Sequence, residues 1–412
     1  MTDTTELAKG DIISVEVIRP AHGGEGVAHF DGRVIFVQGG IPGDQVDLQI
    51  TQLKKKWARG QITEVAKPSP DRVASRCLAA AAGAGCCDYA ELNPEVELEL
   101  KTRVLRDQLE RIGGVEDLPE IEVHDLKPHA GWRTRVRLGV DASGRAGFRK
   151  VKSNELVTQA ACSQVVPSLL DGLVGEGARL FTPGAEIIAA IDDKGQRHIV
   201  ESRKAPRGRR TETVLKVLEG TGEVEQTVGE YTWKFPVSAF WQAHLKAPQA
   251  YSDFIGGVLE SLELVDVDKR GPVAWDLYGG VGLFAPVIAG KLGAAVHSVE
   301  LSKGSAEAGE TALAGLPVTF HTGKVEGMAS QLPSPHVVVL DPPRTGAGND
   351  VLKSIAEAKP QLVIHIGCDP ATFARDVADW KENGYEMDQV AVFNAFPGTH
   401  HFETIGVFHR LP

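Results

Sequence analysis

The last third of the chain alternates short, largely apolar runs with glycine-rich turns and helical stretches, and this pattern constrains the fold more than any other feature. The apolar runs lie at 273–277, 294–299, 337–340 and 362–366. Runs of this length between turns are typical of buried strands. Strands that alternate with helices form a parallel sheet, whose ligands lie at the carboxyl ends of the strands. We therefore predict a C-terminal α/β domain with a ligand site along that edge.

The N-terminal segment has a different pattern, in which closely spaced strands are separated by glycine turns. Strand patterns at 12–17, 33–37 and 45–50 are divided by Gly23-Gly24 and Gly39-Gly40. Closure into a small barrel removes the exposed edges of such a short sheet. We therefore predict a small β-barrel, followed by a linker at Pro68-Ser69-Pro70.

Between these parts lies a middle segment of mixed character. Residues 77–87 contain three cysteines, residues 96–112 have helical apolar spacing, and residues 131–220 are β-rich. The expected fold class is multidomain α+β: a β-barrel at 5–67, a central α+β domain at 68–235 and a Rossmann-like α/β domain at 236–412.

The five cysteines and the absence of a targeting signal bear on where the chain works. No run approaches the roughly 20 apolar residues of a membrane helix, and the first ten residues carry Asp3 and Glu6 rather than a basic and apolar leader. We therefore expect a cytoplasmic protein without a membrane partner. In that reducing compartment cysteines are more often metal ligands or nucleophiles than disulfides.

The net charge of -11 argues against a polyanionic partner only if the charge is evenly spread. It is not, since cations concentrate in three stretches: Lys54-Lys55-Lys56; Arg133, Arg135, Arg137 and Arg149 within 127–152; and Arg203, Lys204, Arg207, Arg209 and Arg210. The alternation from Arg133 to Arg137 would place three cations on one face of a strand. A solvated sheet face is the simpler interpretation. The density of cations nevertheless favours a surface for a polyanion, with Lys54, Lys55, Lys56, Arg133, Arg135, Arg137 and Arg149 as candidate contacts.

A glycine turn in the α/β part is a candidate cofactor site. Gly280-Val281-Gly282 follows the first strand, and Glu300 ends the next one about 20 residues later. Glycines let the backbone approach a ligand, and an acid at the second strand can bind ribose hydroxyls. The turn fits a dinucleotide or S-adenosylmethionine equally well, whereas an ordinary strand-to-helix turn leaves the spaced acid unexplained.

Three further groups lie where strands end. Asp341-Pro342-Pro343-Arg344 follows four apolar residues, Cys368 follows the next strand, and Glu403 precedes a final strand. A single cysteine is more often a small buried apolar residue than a nucleophile. Cys368, however, precedes an Asp-Pro turn that opens a helix, and a helix N-terminus lowers the pKa of a thiol. We therefore expect Cys368 to be a nucleophile, although Glu403 taken alone resembles a surface acid.

As an ordered set, these motifs resemble the RNA uracil-5-methyltransferase family over nearly the whole chain. The N-terminal segment resembles its TRAM RNA-binding barrel, Phe240-Trp241-Gln242 its Phe-x-Gln motif, and the cysteine segment with Cys162 its iron-sulfur site. Asp-Pro-Pro-Arg, Cys-x-Pro-Ala-Thr and the terminal His-x-Glu complete the resemblance.

The resemblance implies S-adenosylmethionine-dependent formation of 5-methyluridine in RNA. Cys368 would add to carbon 6 of uracil, and Glu403 would later remove the proton from carbon 5. The cofactor would lie among Gln242, Tyr278, Gly280, Gly282, Glu300 and Asp341. The target base is hidden by stacking, so it must lie in a loop or be flipped out.

The resemblance also implies a metal site formed by Cys77, Cys86, Cys87 and Cys162. A 4Fe-4S cluster is expected, zinc is the alternative, and four unpaired thiols are a third interpretation. The family usually separates its first three cysteines by five and then two residues. Here eight residues separate Cys77 from Cys86, and Cys86 and Cys87 are adjacent. Two positions near the cofactor, Leu283 and Lys324, also depart from the family pattern without affecting Cys368 or Glu403.

Two other functions fit parts of the sequence. An NAD-dependent oxidoreductase could use the same glycine turn, and a non-catalytic RNA-binding or assembly factor could keep the barrel and the cysteines. Neither explains Asp341, Cys368 and Glu403 together. Because TRAM barrels are commoner among the ribosomal RNA enzymes, we expect 23S rRNA as the substrate rather than tRNA. We also expect the enzyme to be a monomer.

Overall fold

A computed structural model describes residues 7–207 and 210–411, and the side chains of residues 206–211 lie outside that description. The protein is a multidomain α+β structure with an N-terminal β-barrel and a large mixed sheet at its C-terminal end. Within the described ranges, no helix combines the length and apolar character needed to cross a membrane.

The N-terminal and middle parts contain these strands and helices: β1 (Ile12–Glu16), β2 (Arg19–Pro20), β3 (Glu25–Phe30), β4 (Arg33–Gln38), β5 (Gln45–Leu53), β6 (Trp57–Lys67), α1 (Leu78–Ala81), α2 (Pro94–Arg111), β7 (Ile121–His124), β8 (Arg135–Val140), β9 (Ala146–Arg149), β10 (Leu156–Val157), α3 (Pro167–Leu170), β11 (Glu186–Ile191), β12 (Arg197–Arg207), β13 (Arg210–Glu219), β14 (Glu223–Val228) and β15 (Tyr231–Pro236). The C-terminal part contains α4 (Ala247–Glu260), β16 (Val273–Leu277), α5 (Ala285–Leu292), β17 (Ala295–Glu300), α6 (Lys303–Ala312), β18 (Val318–Thr322), α7 (Val325–Met328), a 3-10 turn (Ala329–Gln331), β19 (Val337–Leu340), α8 (Asn349–Glu357), β20 (Leu362–Gly367), α9 (Pro370–Glu382), β21 (Tyr385–Phe393) and β22 (Glu403–Arg410).

The N-terminal sheet closes into a barrel because one bent stretch of chain pairs at both ends. Strand β1 pairs with β5, and β2, which continues the same stretch, pairs with β3. Ile18, between β1 and β2, already donates its amide hydrogen to Val27. The remaining order β5-β6-β4-β3 completes the ring. Its interior is filled by alternating side chains such as Val15, Ile35 and Leu48, as the strand pattern predicts.

The middle part forms a six-stranded antiparallel sheet in the order β10-β9-β8-β11-β12-β13. Its apolar side packs against the cysteine segment, so that Cys77, Cys87 and Cys162 share one buried cluster with Leu138 and Ile187. The cysteines are therefore located between the sheet and the loops that carry them.

The C-terminal sheet has eight strands in the order β18-β17-β16-β19-β20-β22-β21-β7. The five strands from β18 to β20 are parallel, and β22 runs antiparallel to both of its neighbours. The outermost strand, β7, comes from the middle of the sequence and pairs in parallel with β21. Helix α2, just before it, packs on α9. Residues 94–124 thus extend the C-terminal sheet, although the sequence pattern groups them with the central segment.

Helix α2 also holds the loop before β22 through a buried charge. Lys101 is almost completely buried and donates to Glu97, to the side chain of Asn394 and to the carbonyl of Phe396. Glu97 accepts in turn from the amide of Gly398 at 2.9 Å. Buried charges persist when they are paired and hydrogen-bonded, and this pair fixes the loop that leads into Glu403.

Candidate active site

Side-chain alternation brings three of the predicted groups to one face of the C-terminal sheet. Val337 and Val339 of β19, Ile364 and Ile366 of β20, and Ile405 and Val407 of β22 all contribute to the same apolar layer. Residues two positions apart on a strand point to the same side. Asp341, Cys368 and Glu403 continue these three rows, so they lie at the same edge and on the same face of neighbouring strands.

Cys368 is half-buried at the end of β20, and its surroundings oppose ionisation. Burial raises the pKa of its thiol to about 12, and the nearby carboxylates of Glu403 and Asp341 act in the same direction. The expectation of a lowered pKa is therefore wrong for the protein without ligands. The N-terminus of α9 lies close by, but its effect is outweighed by desolvation and by two acids.

Glu403 is buried, and its Oε2 has no hydrogen-bond partner among the described residues. Burial raises its pKa well above the ordinary value, and Asp341 raises it further, whereas Arg344 opposes the shift. Burial likewise raises the pKa of Asp341 to about 7, with the charge of Asp276 adding to the effect. Such clusters of raised pKa values are typical of acid and base sites.

The predicted cofactor turn has the backbone geometry of a ligand-binding loop. Gly280 and Gly282 have φ angles of 60° and 77°, and Tyr278 also adopts a positive φ of 60°. A non-glycine residue in this region stores strain, which is commonly found at functional sites. Glu300 accepts the amide of Gly280 at 3.1 Å, so the acid braces the turn.

Beneath this turn, Gly279 permits a close approach of two strands. Buried Asp276 accepts from the hydroxyl of Ser298 at 2.9 Å. A Cβ atom at Gly279 would lie 2.3 Å from that hydroxyl oxygen.

Tyr278 also lines a cleft of 560 Å³ with Pro343 and residues 346–349. The cleft therefore runs between the loops that follow β16 and β19.

The segment that carries Gln242 is fastened to the central part of the chain. Gln242 is buried, and its neighbour Ala243 accepts the amide of Thr134 at 3.0 Å. The guanidinium of Arg135 donates to the carbonyls of Val237 and Ala239. Burial lowers the pKa of Arg135 to about 10. These contacts give Arg135 a structural role that the sequence does not reveal.

The expectation of three cations along one strand face is wrong. Arg133 precedes β8, and its Nε donates a hydrogen bond to the carbonyl of Arg135. Arg137 and Arg149 are exposed, and both contact Glu186, at 2.9 and 3.7 Å. Lys54, Lys55 and Lys56 are exposed in the loop between β5 and β6. Arg207, Arg209 and Arg210 lie outside the described side chains.

A cleft of 1180 Å³ connects the barrel to the catalytic edge. Its lining contains eight cations, three histidines and four acids: Arg59, Arg72, Arg133, Arg137, Arg149, Lys150, Lys152 and Arg344; His22, His400 and His401; and Glu25, Asp88, Glu91 and Glu186. Arg344 follows Asp341 closely in sequence, and His401 precedes Glu403. A polyanion in this cleft would therefore reach the loops that hold the proposed catalytic groups.

The four predicted cysteine ligands meet at one point. Their sulfur atoms all lie within 4.8 Å of one another, with 3.7 Å between Cys77 and Cys86 and 3.5 Å between Cys87 and Cys162. Four thiolates about 2.3 Å from one tetrahedral zinc ion are about 3.8 Å apart. In a 4Fe-4S cluster each thiolate binds a different iron, which requires wider spacing. The donor set fits a metal, and its spacing is closer to that of a single ion.

Both the barrel and the cysteine segment contact the loops that carry Cys368 and Glu403. Asp369, which follows Cys368, caps α9 with one carboxylate oxygen and meets Nε2 of His22 with the other, at 2.9 Å. Although burial acts to raise it, these hydrogen bonds lower the pKa of Asp369 to about 2. Asp88, which follows Cys87, accepts the backbone amide of His400 and contacts its ring.

Sequence reasoning missed several residues of this region. His22 and Asp88 lie hundreds of positions from their partners, and no local pattern predicts such contacts. Tyr251 on α4 is fully buried close to the catalytic groups. Its helical spacing matches that of ordinary core residues, so the sequence gives no signal for it.

Comparison with protein families gives two matches. Residues 6–63 match the TRAM domain. Residues 295–410, which include Glu300, Asp341, Cys368 and Glu403, match the tRNA (uracil-5-)-methyltransferase family.

Similar proteins extend the match to the full chain. An uncharacterized RNA methyltransferase of Corynebacterium glutamicum is 84% identical over 411 residues, covering 100% of both chains. A 23S rRNA (uracil(1939)-C(5))-methyltransferase of Methylococcus capsulatus is 31% identical, covering 95% of both chains. The crystal structure of tRNA (uracil-54, C5)-methyltransferase from Pyrococcus abyssi, in complex with S-adenosyl-L-homocysteine, is similar in fold, with a TM-score of 0.69 and 19% identity over 96% of this chain and all of that one.

Proposed function

Because the chain belongs to the family of S-adenosylmethionine-dependent RNA uracil-5-methyltransferases, we propose that it forms 5-methyluridine in a structured RNA. The observation that carries the proposal is the row of Asp341, Cys368 and Glu403 along one face at the ends of adjacent strands. This arrangement offers a nucleophile and a base to the same small ring.

Cys368 starts the reaction because carbon 5 of uracil is too weak a nucleophile by itself. Its thiol first gives up its proton to solvent; the thiolate then adds to carbon 6, and the electrons of the carbon 5–carbon 6 double bond move to form an enolate. When bound, S-adenosylmethionine supplies an electrophilic methyl group for carbon 5. Glu403 then removes the proton from carbon 5, the double bond re-forms and the bond from carbon 6 to sulfur breaks.

The residues of the cofactor turn fit S-adenosylmethionine. Gly280 and Gly282 would let backbone amides approach a ligand, and Glu300, which already accepts the amides of Gly280 and Ser302, would also accept ribose hydroxyls. Tyr278 and Asp341 flank the same loops, and buried Gln242 completes the proposed set. Leu283 packs into the apolar layer below, so an apolar side chain stands there in place of the amide that the family commonly carries.

RNA would follow the basic cleft from the barrel to the catalytic edge. Arg137 and Arg149 line this cleft, and the exposed Lys54–Lys56 loop adds cations on the barrel. Phe240, next to the buried Trp241, is 70% exposed and offers a ring on which a base can stack. Arg133 also lines the cleft, whereas Arg135 is engaged with backbone carbonyls.

Among RNA substrates we favour 23S rRNA over tRNA. The TRAM match and the full-length similarity to a 23S rRNA methyltransferase support this choice. We expect purified protein with labelled S-adenosylmethionine to methylate 23S rRNA, and not tRNA, when both RNAs come from cells that lack the gene. Digestion to nucleosides and mapping of 5-methyluridine would identify the site. Methylation of tRNA alone would reverse the substrate assignment, and no 5-methyluridine in either RNA would refute the function.

We also propose that Cys77, Cys86, Cys87 and Cys162 bind a metal that joins the central sheet to the loop before Glu403. The 4Fe-4S cluster implied by the family and a single zinc ion remain the two candidates, and the sulfur spacing favours zinc. The proposed chemistry transfers no electron, so either metal would have a structural role.

We expect anaerobically purified protein to contain one zinc per chain and no iron, because the sulfur spacing matches a single tetrahedral ion. Elemental analysis and the visible absorption spectrum distinguish this result from a brown iron-sulfur protein. Cys162→Ala should lose the metal and unfold at a lower temperature, because a structural site contributes binding energy to folding. Cys368→Ala, the matched cysteine change outside the cluster, should keep the metal. Equal metal content in both variants would contradict the assignment.

A further inference from the structure

Tyr251 occupies an unusual position for a core tyrosine. It lies on α4, which covers the face of the sheet that carries Asp341, Cys368 and Glu403, and its exposure is 0%. Its ring packs edge-on against Phe393, with 5.1 Å between the ring centres. Phe393 is the cross-strand partner of Glu403. Side chains of directly paired residues lie side by side on one face, so Phe393 is a neighbour of both Tyr251 and Glu403.

The hydroxyl group of Tyr251 has no hydrogen-bond partner among the described residues, and neither has Oε2 of Glu403. A buried polar atom without a partner carries a desolvation penalty, and such atoms in folded proteins call for an explanation. One of these groups is a donor and the other is an acceptor when ionised. Burial raises the pKa of Tyr251 well above its ordinary value, and Glu403 is the first of the charges that add to this effect. The hydroxyl therefore stays protonated and available as a donor.

Resting on the function proposed above, we infer that Tyr251 is a positioning residue, whose hydroxyl donates a hydrogen bond to the carboxylate of Glu403 when that carboxylate acts as the base. The interaction belongs to the last step. Glu403 takes the proton from carbon 5, the electrons of that bond form the carbon 5–carbon 6 double bond, and the thiolate of Cys368 leaves carbon 6. A carboxylate that must be ionised in a buried site needs a donor, because burial favours its protonated form.

The other groups around Glu403 do not meet this need. Asp341 after β19 and Cys368 after β20 repel a second negative charge. Arg344 favours the charged form, but its side chain belongs to an exposed residue in the loop after β19. Tyr251 is a fully buried donor on the helix that covers this face of the sheet, and its hydroxyl has no partner among the described residues.

The test is Tyr251→Phe in the full-length protein, assayed with two RNAs. Turnover with the natural uridine RNA should fall roughly tenfold to a hundredfold, the range for a hydrogen bond to a charged group. With the same RNA containing 5-fluorouridine, carbon 5 carries no removable proton and the cycle stops at the covalent adduct. The rate of adduct formation should stay within about twofold of the wild type, because addition and methyl transfer precede the step that Tyr251 assists.

Two further readouts separate this role from simple packing. Deuterium at carbon 5 should slow Tyr251→Phe more than the wild type, since proton removal becomes more strongly rate-limiting. The acidic limb of the pH profile for turnover should move to higher pH, because loss of a donor raises the pKa of the carboxylate that must be ionised. The variant should unfold at the same or a higher temperature, since it lacks a buried hydroxyl without a partner.

Tyr385→Phe is the matched control. Tyr385 is also buried, but its hydroxyl already donates to the carbonyl of Pro360 at 2.8 Å. Its loss should lower stability and leave the isotope effect and pH profile unchanged. Normal turnover in Tyr251→Phe, or an equal loss in adduct formation and turnover, would overturn the inference. A wild-type protein that forms no 5-methyluridine would instead refute the proposed function.

Discussion

Cys368→Ala is expected to form no detectable 5-methyluridine, a loss of at least about a thousandfold. Without a thiolate, carbon 6 of uracil receives no nucleophile and carbon 5 never gains the electron density that methyl transfer requires. The measurement is incorporation of labelled methyl groups into RNA, followed by nucleoside analysis. The variant should also fail to form a covalent adduct with RNA containing 5-fluorouridine.

The controls for Cys368→Ala separate chemistry from folding. Its thermal unfolding and its binding of S-adenosylmethionine should match those of the wild type, because the thiol is half-buried and contributes little to the core. Cys368→Ser keeps the shape but should be almost as inactive, since an alcohol ionises far less readily than a thiol. Wild-type activity in either variant would rule out the covalent mechanism. It would also reopen the view of the chain as a non-catalytic RNA-binding factor.

Glu403→Gln should have a different and equally large effect, because it blocks the last step instead of the first. Cys368 can still add to uracil and carbon 5 can still be methylated, but no carboxylate removes the proton. The charge of Glu403 contributes to the raised pKa of Cys368, so its removal should leave adduct formation as fast as in the wild type or faster. We expect methylated RNA to remain covalently attached to the protein, visible as a slow band on a denaturing gel.

Glu386→Gln provides the matched comparison for Glu403→Gln. Glu386 is an exposed residue of the adjacent strand β21, so the same chemical change there should leave turnover unaltered. Release of methylated RNA by Glu403→Gln at the normal rate would place the base elsewhere. Failure to form any adduct would instead assign Glu403 to the activation of Cys368.

The common position of Asp341 and Cys368 at the ends of adjacent strands could be predicted from the sequence, because it depends on local periodicity. Buried runs before Asp341 and Cys368 indicate strands, and the α/β pattern indicates which ends of those strands meet. The positive φ angles at Gly280 and Gly282 agree with the loop geometry that a glycine turn suggests. The same reasoning argues against a nicotinamide-dependent enzyme, because that function leaves Asp341, Cys368 and Glu403 unexplained.

What could not be predicted depends on contacts between distant parts of the chain. The pKa of Cys368 is set by burial and by Glu403 and Asp341, which outweigh the helix terminus that a local pattern suggests. Arg135 resembles a surface cation in the sequence, but its partners are the carbonyls of Val237 and Ala239. Tyr251 has the spacing of a core residue, and the sequence gives no sign that its hydroxyl has no hydrogen-bond partner in the part of the chain that the structure describes.

The position of β7 at the rim of the C-terminal sheet limits how this protein can be rearranged by gene fusion. The barrel is a contiguous stretch, β1 to β6, whose strands pair only with one another in the described chain. Its strand pairing would therefore survive transfer as one unit, and a contact that its loss would break is that of His22 with Asp369. The stretch from α2 to β7 cannot be transferred in this way, because it supplies both the outer strand beside β21 and the buried Lys101. A recombination event just upstream of β16 would leave β21 with an open edge, which is an aggregation hazard. Inheritance of the catalytic half is thus tied to the segment that carries the cysteines.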